Sequence, residues 1–320
     1  MIRIFPQGTA SDTPDAAVRP PVWIDLLDPT PDEVAQAEAH CGLRIPTREQ
    51  LSEIESSSRV SSENGALYLS APLVAHPEAD VSQLSPVGFI LTPEKLVTVR
   101  WFAFRTFSRL EDEFAKSPDA CSAEAFTRLI EAIVDREADL LEAARDELDR
   151  ISALIFREGE TSRVRKAQMN TLLRATLQRV GRMGDQISRI RDSLVVLQRV
   201  TGYVTETAKG WMPEAFAVRL LAAKADLVSI SDYEGHLQGK VQFLLDAVLG
   251  LINNEQNDII KVLTVVSVVG VPPTLVASLY GMNFKIMPEL NWTYGYPYAL
   301  GLIVLTTVLP LAWFKWRGWL

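Results

Sequence analysis

Two long uncharged apolar stretches near the C-terminus constrain this chain more than any other feature. No charge falls between Lys261 and Lys285, and none between Glu289 and Lys315. Each gap exceeds the roughly 20 residues that cross a bilayer core as a helix. The competing reading is an apolar hairpin buried inside a soluble protein. The expected class is a membrane protein with a large soluble front end. Two spans per chain are too few to enclose an aqueous path, so any transport role requires an oligomer.

Charge placement sets the expected topology. Lys315 and Arg317 lie just beyond the second span, which marks that end as cytoplasmic. Two spans return the chain to the side it left, so the loop from Gly281 to Thr293 faces outward. That loop carries only Lys285 and Glu289. Tyr294, Tyr296 and Tyr298 at one end of the second span, and Trp313, Trp316 and Trp319 at the other, read as interfacial belts. A net charge of −8 argues against a nucleic-acid partner and favours contact with cations. Cys41 and Cys121 are too isolated for a disulfide framework, which fits a reducing compartment. The first residues lack the apolar run of a signal peptide, so the front part is expected in the cytosol.

The soluble part divides at about residue 120 on the change from alternating to helical pattern. Residues 1–120 read as a cytosolic α/β domain. Met1–Phe5, Trp23–Leu27, Ala66–Val74, Val87–Leu91 and Leu96–Trp101 have strand character, the last two joined as a hairpin through Thr92–Lys95. Capping boxes at Thr30 with Glu33 and at Thr47 with Gln50 open two helices.

Residues 121–258 read as antiparallel helices and a stalk, and residues 259–320 as two membrane helices with a short outer loop. Glu124–Phe156 has no Gly or Pro and carries apolar residues at helical spacing. A second helix is expected from about Ser162 to Val200, and a third from Glu214 straight into the membrane. At ~1.5 Å per residue, 214–280 would span roughly 100 Å. The acidic face of the first of these helices and the basic face of the second are expected to pair with one another rather than with a ligand.

The first span carries a polar stripe. Ser267, Val271, Thr274 and Ser278 are spaced four, three and four apart and share one helical face. Carried backwards, the stripe takes in Leu263, Ile260, Asn257, Asn253 and Asp246. Hydroxyls that bond their own backbone, or that pack helix to helix, would explain the Ser and Thr residues alone. Alignment with Asn253, Asn257 and Asp246 favours a pore-lining face, on which Ile260, Leu263 and Val271 form a hydrophobic constriction able to gate by dewetting. Pro272 and Pro273 are either a tolerated kink or a widening of the path.

Tyr280-Gly281-Met282-Asn283-Phe284, followed by Met287-Pro288-Glu289-Leu290, Trp292, Gly295-Tyr296-Pro297 and a basic-aromatic tail, resembles the CorA family of divalent-cation channels. Ile259–Ser267 and Pro272–Ser278 resemble that family's pore helix. The resemblance is dense over Gln242–Leu320 and weaker over the front 240 residues. It implies an α/β cytosolic domain, a long helical stalk continuous with a two-helix transmembrane region, and a homopentameric channel in a bacterial inner membrane with both termini cytoplasmic. It implies magnesium influx driven by membrane potential, with cobalt and nickel also carried, and gating by intracellular magnesium. Gly281, Met282 and Asn283 match the family's signature at the outer mouth, with Glu289 in the outer loop. Thr274 matches a pore-lining hydroxyl and Asp246 an acidic pore-side position. A stalk position that bears an acid in some members is Ala222 here, which leaves Asp226 and Asp232 as candidate regulatory ligands.

The signature has a physical rationale. Mg²⁺ sheds water reluctantly, so neutral carbonyl oxygens of Asn283 would hold its hydration shell without trapping it. Gly281 would permit a tight turn at the helix end. Met282 is a poor ligand for a hard ion and props the turn instead. Asn283 as a helix C-cap is compatible with either role. No organic cofactor and no enzymatic activity are expected. His40, His76 and His236 lack metal-site spacing, and there is no nucleophile elbow or phosphate loop. A zinc transporter of the same superfamily and a non-conducting cation sensor anchored in the membrane remain open.

Overall fold

The computed structural model describes residues 1–5, 21–53, 55, 59–75, 83–116, 120–157, 166–283, 287–288 and 292–319. The chain divides into two compact units. One holds Met1–Glu160 and Thr176–Leu245, the other Thr161–Ala175 and Asp246–Leu320.

The first unit is built on a mixed six-stranded sheet in the order β1-β2-β6-β5-β4-β3. The strands are β1 (Ile2–Phe5), β2 (Trp23–Leu27), β3 (Val60–Glu63), β4 (Ala66–Ala75), β5 (Gln83–Leu91) and β6 (Leu96–Arg100). Only β2 and β6 run parallel. The parallel strands β2 and β6 are buried on both faces, so period-two alternation separates two cores rather than core from solvent. Ile24, Leu26, Val97 and Val99 face helices α1 (Pro31–Cys41) and α2 (Arg48–Leu51). Trp23 and Leu96 join the larger core with α3 (Arg105–Phe114), α4 (Ser122–Arg157), α5 (Lys166–Thr207) and the front of α6 (Glu214–Tyr280).

Both capping boxes form as the spacing requires. Thr30 accepts from the Glu33 N–H while Glu33 reaches back to Thr30, and Thr47 and Gln50 do the same. The β5–β6 hairpin is present, with Val87 opposite Arg100. Two strands differ from expectation. β3 was absent from the strand set, although Asn64 (φ 50°) and Gly65 (φ 82°) form the left-handed turn that joins it to β4. β5 begins at Gln83 rather than Val87 because Pro86 does not end it. Pro86 lies opposite Pro72, beyond the stretches where β6 pairs β5 and β3 pairs β4, so the missing N–H groups break no ladder. Helix α5 also runs on to Thr207, past the expected end at Val200.

Charge pairing among the long helices is broader than the expected match of α4 with α5. Arg179 of α5 pairs with Glu147 of α4, Nε to Oε1 3.1 Å. The acids of α4 also pair with α6, through Arg219–Glu131 and Lys240–Asp149. One α4 acid is buried instead. Glu137 accepts from the Ser193 hydroxyl of α5 at 3.0 Å, and its other oxygen has no partner. Burial pushes its carboxyl up to about 7, against the pull of Ser193, Arg136 and the Val74 backbone. Its native pKa lies above its unfolded value, so stability is greatest below the unfolded pKa, falls as pH rises towards 7, and then levels, by about 3 kcal/mol in all. Glu137→Gln is expected to raise the melting temperature of the soluble part at pH 8 and to leave it nearly unchanged at pH 4.5. Thermal unfolding at the two pH values checks this.

Candidate functional site

In the second unit, α6 continues through Pro272 and Pro273 without interruption to Tyr280, and α7 spans Gly295–Trp316. Both helices are long and apolar enough to cross a membrane, and only 6% of the most apolar window of each is buried. A core helix of a soluble protein would bury most of that window.

Burial on α6 follows one side. Val265, Val269, Pro272, Val276 and Tyr280 are half-buried and share a face at helical spacing. On α7 the covered side runs through Ala299, Leu302, Thr306, Pro310 and Phe314. The stripe lies on the other side of α6. Asp246, Asn253, Asn257, Ile260, Leu263, Ser267, Val271, Thr274 and Ser278 are all exposed in the single chain. At about 100° per residue the stripe centres roughly opposite the covered side. Thr264 belongs to the same arc, four residues after Ile260 and three before Ser267. Counting forward from Ser267 passes over it; counting from Ile260 finds it.

The threonine hydroxyls on this arc bond back to their own helix. Thr264 donates to the Ile260 carbonyl and Thr274 to the Gly270 carbonyl, each at 2.8 Å. This is the backbone role weighed against a pore role, and the two are compatible. A hydroxyl whose proton is used on the helix keeps its lone pairs for acceptance. The waters around Mg²⁺ turn their hydrogens outward, so a lining of acceptors is what a hydrated cation needs.

At the outer end, the Gly281 N–H donates to the Ala277 carbonyl at 3.0 Å and the Met282 N–H to the Leu279 carbonyl at 3.4 Å. Gly281 lies in a turn at the end of α6. It is not among the left-handed residues. A Cβ there would sit 3.2 Å from the Ala277 carbonyl oxygen, so glycine serves close approach to the helix end. Asn283 is exposed, and among the described residues its side chain forms no hydrogen bond. Among the described residues its side chain therefore caps no carbonyl of α6. The last turn of α6 has no basic residue, so the negative end of the helix dipole stays unneutralised beside Asn283. Glu289, together with Phe284, Lys285 and Ile286, lies outside the described residues.

The regulatory candidates belong to the first unit. Asp226 and Asp232 are exposed on α6, six positions apart, and point about 120° away from each other. One chain does not bring them to one ion. Among the described residues, no group of three or more His, Cys, Asp or Glu side chains is placed to hold a metal.

The sequence profile of the family described as CorA-like Mg²⁺ transporter protein matches residues 20–316. The chain belongs to this CorA-like family. It is 33% identical over 302 residues to the magnesium transport protein CorA of Escherichia coli (strain K12), covering 93% of this chain and 92% of that one. Identity to the magnesium transport protein CorA of Pasteurella multocida (strain Pm70) is 31% over 309 residues, 96% of this chain and 94% of that one. The complete structure of the CorA magnesium transporter from Methanocaldococcus jannaschii superposes with a TM-score of 0.73 at 18% identity, covering 93% of this chain and 91% of that one. The α/β front, the long helix and the C-terminal membrane helix are thus the fold of CorA-like transporters. Family membership makes the chain a transporter rather than an enzyme, and Mg²⁺ is its cargo.

Proposed function

We propose that copies of this chain assemble, as a homopentamer, around the exposed polar face of α6 and conduct Mg²⁺ inward through a bacterial inner membrane. The observation that carries this is the position of the stripe. It is continuous from Asp246 to Ser278, exposed, and turned away from the covered side of the hairpin. Asn253, Asn257, Ser267, Thr274 and Ser278 supply acceptors for a hydrated ion. Gly281, Met282 and Asn283 form the outer mouth, with Glu289 near it. Membrane potential supplies the drive, since a divalent ion gains about 4.6 kcal/mol across 100 mV.

Both termini are placed in the cytoplasm, with Lys315 and Arg317 on the inner side. Arg317 stacks on Trp313 at 5.6 Å, an arrangement suited to an interfacial anchor. The division into a cytosolic α/β domain (1–120), helices and stalk (121–258) and membrane region (259–320) belongs to the same proposal. So do carriage of cobalt and nickel, and gating by intracellular Mg²⁺. Regulatory binding at Asp226 or Asp232 requires ligands from a second chain.

Ile260, Leu263 and Val271 close the path by excluding water. Leu263→Ser is expected to raise resting Mg²⁺ flux about tenfold, because wetting one buried Leu-sized surface costs about 1.5–3 kcal/mol. The deciding experiment reconstitutes the full chain in liposomes and measures uptake of Mg²⁺, Co²⁺, Ni²⁺ and Zn²⁺ with and without a pH gradient. Potential-driven Mg²⁺ entry independent of the pH gradient supports the proposal. Proton-coupled Zn²⁺ entry points to the zinc transporter, and binding without flux points to a sensor.

A further inference from the structure

A groove of about 520 Å³ opens in the first unit, lined by α3, α4 and α6. Its walls hold the arginines Arg105, Arg109, Arg128, Arg136 and Arg219. Three are already neutralised: Arg109 by Glu113 at 3.3 Å, Arg128 by Glu124 at 2.8 Å, and Arg219 by Glu131, Nε to Oε1 2.9 Å. Among the described residues neither Arg105 nor Arg136 forms an ion pair, although the Arg136 charge acts on the buried Glu137 beside it. Arg136 gives one N–H to the Val74 carbonyl at 3.3 Å, while its Nε is buried without a hydrogen bond. A buried N–H left in that state has lost its water and gained nothing. Arg105 opens α3, whose N-cap residue Phe104 supplies no side-chain acceptor. The positive end of that helix adds to the same side of the groove.

Carboxylates without partners line the groove as well. Asp135 and Asp139 lie one helical turn apart on α4, both exposed, and neither makes an ion pair among the described residues. A lone phosphate would be repelled by the aspartates, and a bare cation by the arginines. The combination suits a ligand that carries both signs. In a metal–triphosphate chelate, phosphoryl oxygens take forked hydrogen bonds from guanidinium groups. The Mg²⁺ keeps several waters, which carboxylates accept without displacing them. The groove's volume lies within the ~300–1,000 Å³ usual for small-molecule sites.

We propose that this groove binds a magnesium–triphosphate chelate of the nucleoside triphosphate class. Arg105 and Arg136 hold its phosphates, and Asp135 and Asp139 accept from the metal's water shell. Binding is read directly, so its outcome does not depend on conduction.

The test is calorimetric titration of the full chain in lipid nanodiscs with Mg·ATP, with ATP in EDTA, and with Mg·tripolyphosphate. Wild type is expected to bind Mg·ATP at least tenfold more tightly than metal-free ATP. Arg105→Ala should weaken Mg·ATP binding at least tenfold; this side chain is exposed and makes no hydrogen bond or ion pair among the described residues, so folding is not at issue. Asp135→Asn with Asp139→Asn should erase the preference for the metal complex. Equal binding of Mg·tripolyphosphate would support the chelate site and place recognition in the phosphates; weaker binding would support it and add a contribution from the nucleoside. Lack of wild-type binding at millimolar Mg·ATP would overturn the proposal. So would unchanged affinity in Arg105→Ala, or a wild type that prefers metal-free ATP.

Discussion

Asn283→Ala is expected to reduce Mg²⁺ uptake at least about 100-fold while leaving the protein folded and assembled. The residue lies just past the end of α6, exposed, and among the described residues its side chain forms no hydrogen bond. Removing it therefore breaks no hydrogen bond among the described residues of one copy. Each Asn283 carbonyl lost is a hydrogen bond to a charged hydrated ion, about 1.5–3 kcal/mol. A single such loss is about 10- to 100-fold in occupancy, and every copy around the mouth loses one. Uptake in reconstituted liposomes gives the flux, and size-exclusion chromatography confirms intact assembly. Wild-type flux in the variant would remove Asn283 from the ion's path.

Arg100→Ala is expected to be the most damaging substitution in the soluble part, through stability rather than transport. Arg100 and Asp25 are fully buried and face each other across the parallel pair β2–β6. Arg100 Nη2 reaches Asp25 Oδ2 at 2.8 Å and Glu111 Oε1 at 2.9 Å. Arg3 also pairs with Glu111. The Thr98 hydroxyl donates to Asp25 at 2.5 Å and accepts from the Trp23 indole at 3.0 Å. Burial and the Asp25 charge push the Glu111 carboxyl above the usual range, with Arg100 pulling it back. Without Arg100, two carboxylates share a dry site, and breaking such a buried pair costs about 3–5 kcal/mol. The Glu111 pKa then rises further above its unfolded value. Stability of the variant should therefore recover as pH falls towards 4 and be lowest above neutrality. Denaturant unfolding across pH checks both magnitude and sign. A loss that is small and independent of pH would mean the network contributes little.

This network shows where sequence reading stops. Trp23–Leu27 and Leu96–Arg100 were legible as strands from their β-rich runs, but Asp25 and Arg100 each look like a break in that run. Only the register that sets Asp25 against Thr98, and Leu27 against Arg100, shows that the charges answer each other. Helices α1 and α2 were legible because a capping box is local. Strand β3 was passed over because Val60–Glu63 is short and polar, although the Asn64–Gly65 turn beside it carries the signal. The stripe on α6 was readable from spacing alone, since one helix fixes its own faces. Which face the chain itself covers was not, because that depends on where α7 lies. The arginine groove was hidden for the same reason, since α3, α4 and α6 meet there from distant parts of the sequence.

Thiol accessibility tests the exposed stripe most directly. In a chain with Cys41→Ser and Cys121→Ser, single cysteines are placed at Thr274, on the stripe, and at Val304, exposed on α7 away from its covered side. A hydrophilic, membrane-impermeant thiol reagent should block Mg²⁺ flux through Thr274→Cys and leave Val304→Cys conducting. Block at Val304→Cys with Thr274→Cys untouched would turn the hydroxyl-bearing face toward lipid and contradict a shared aqueous axis.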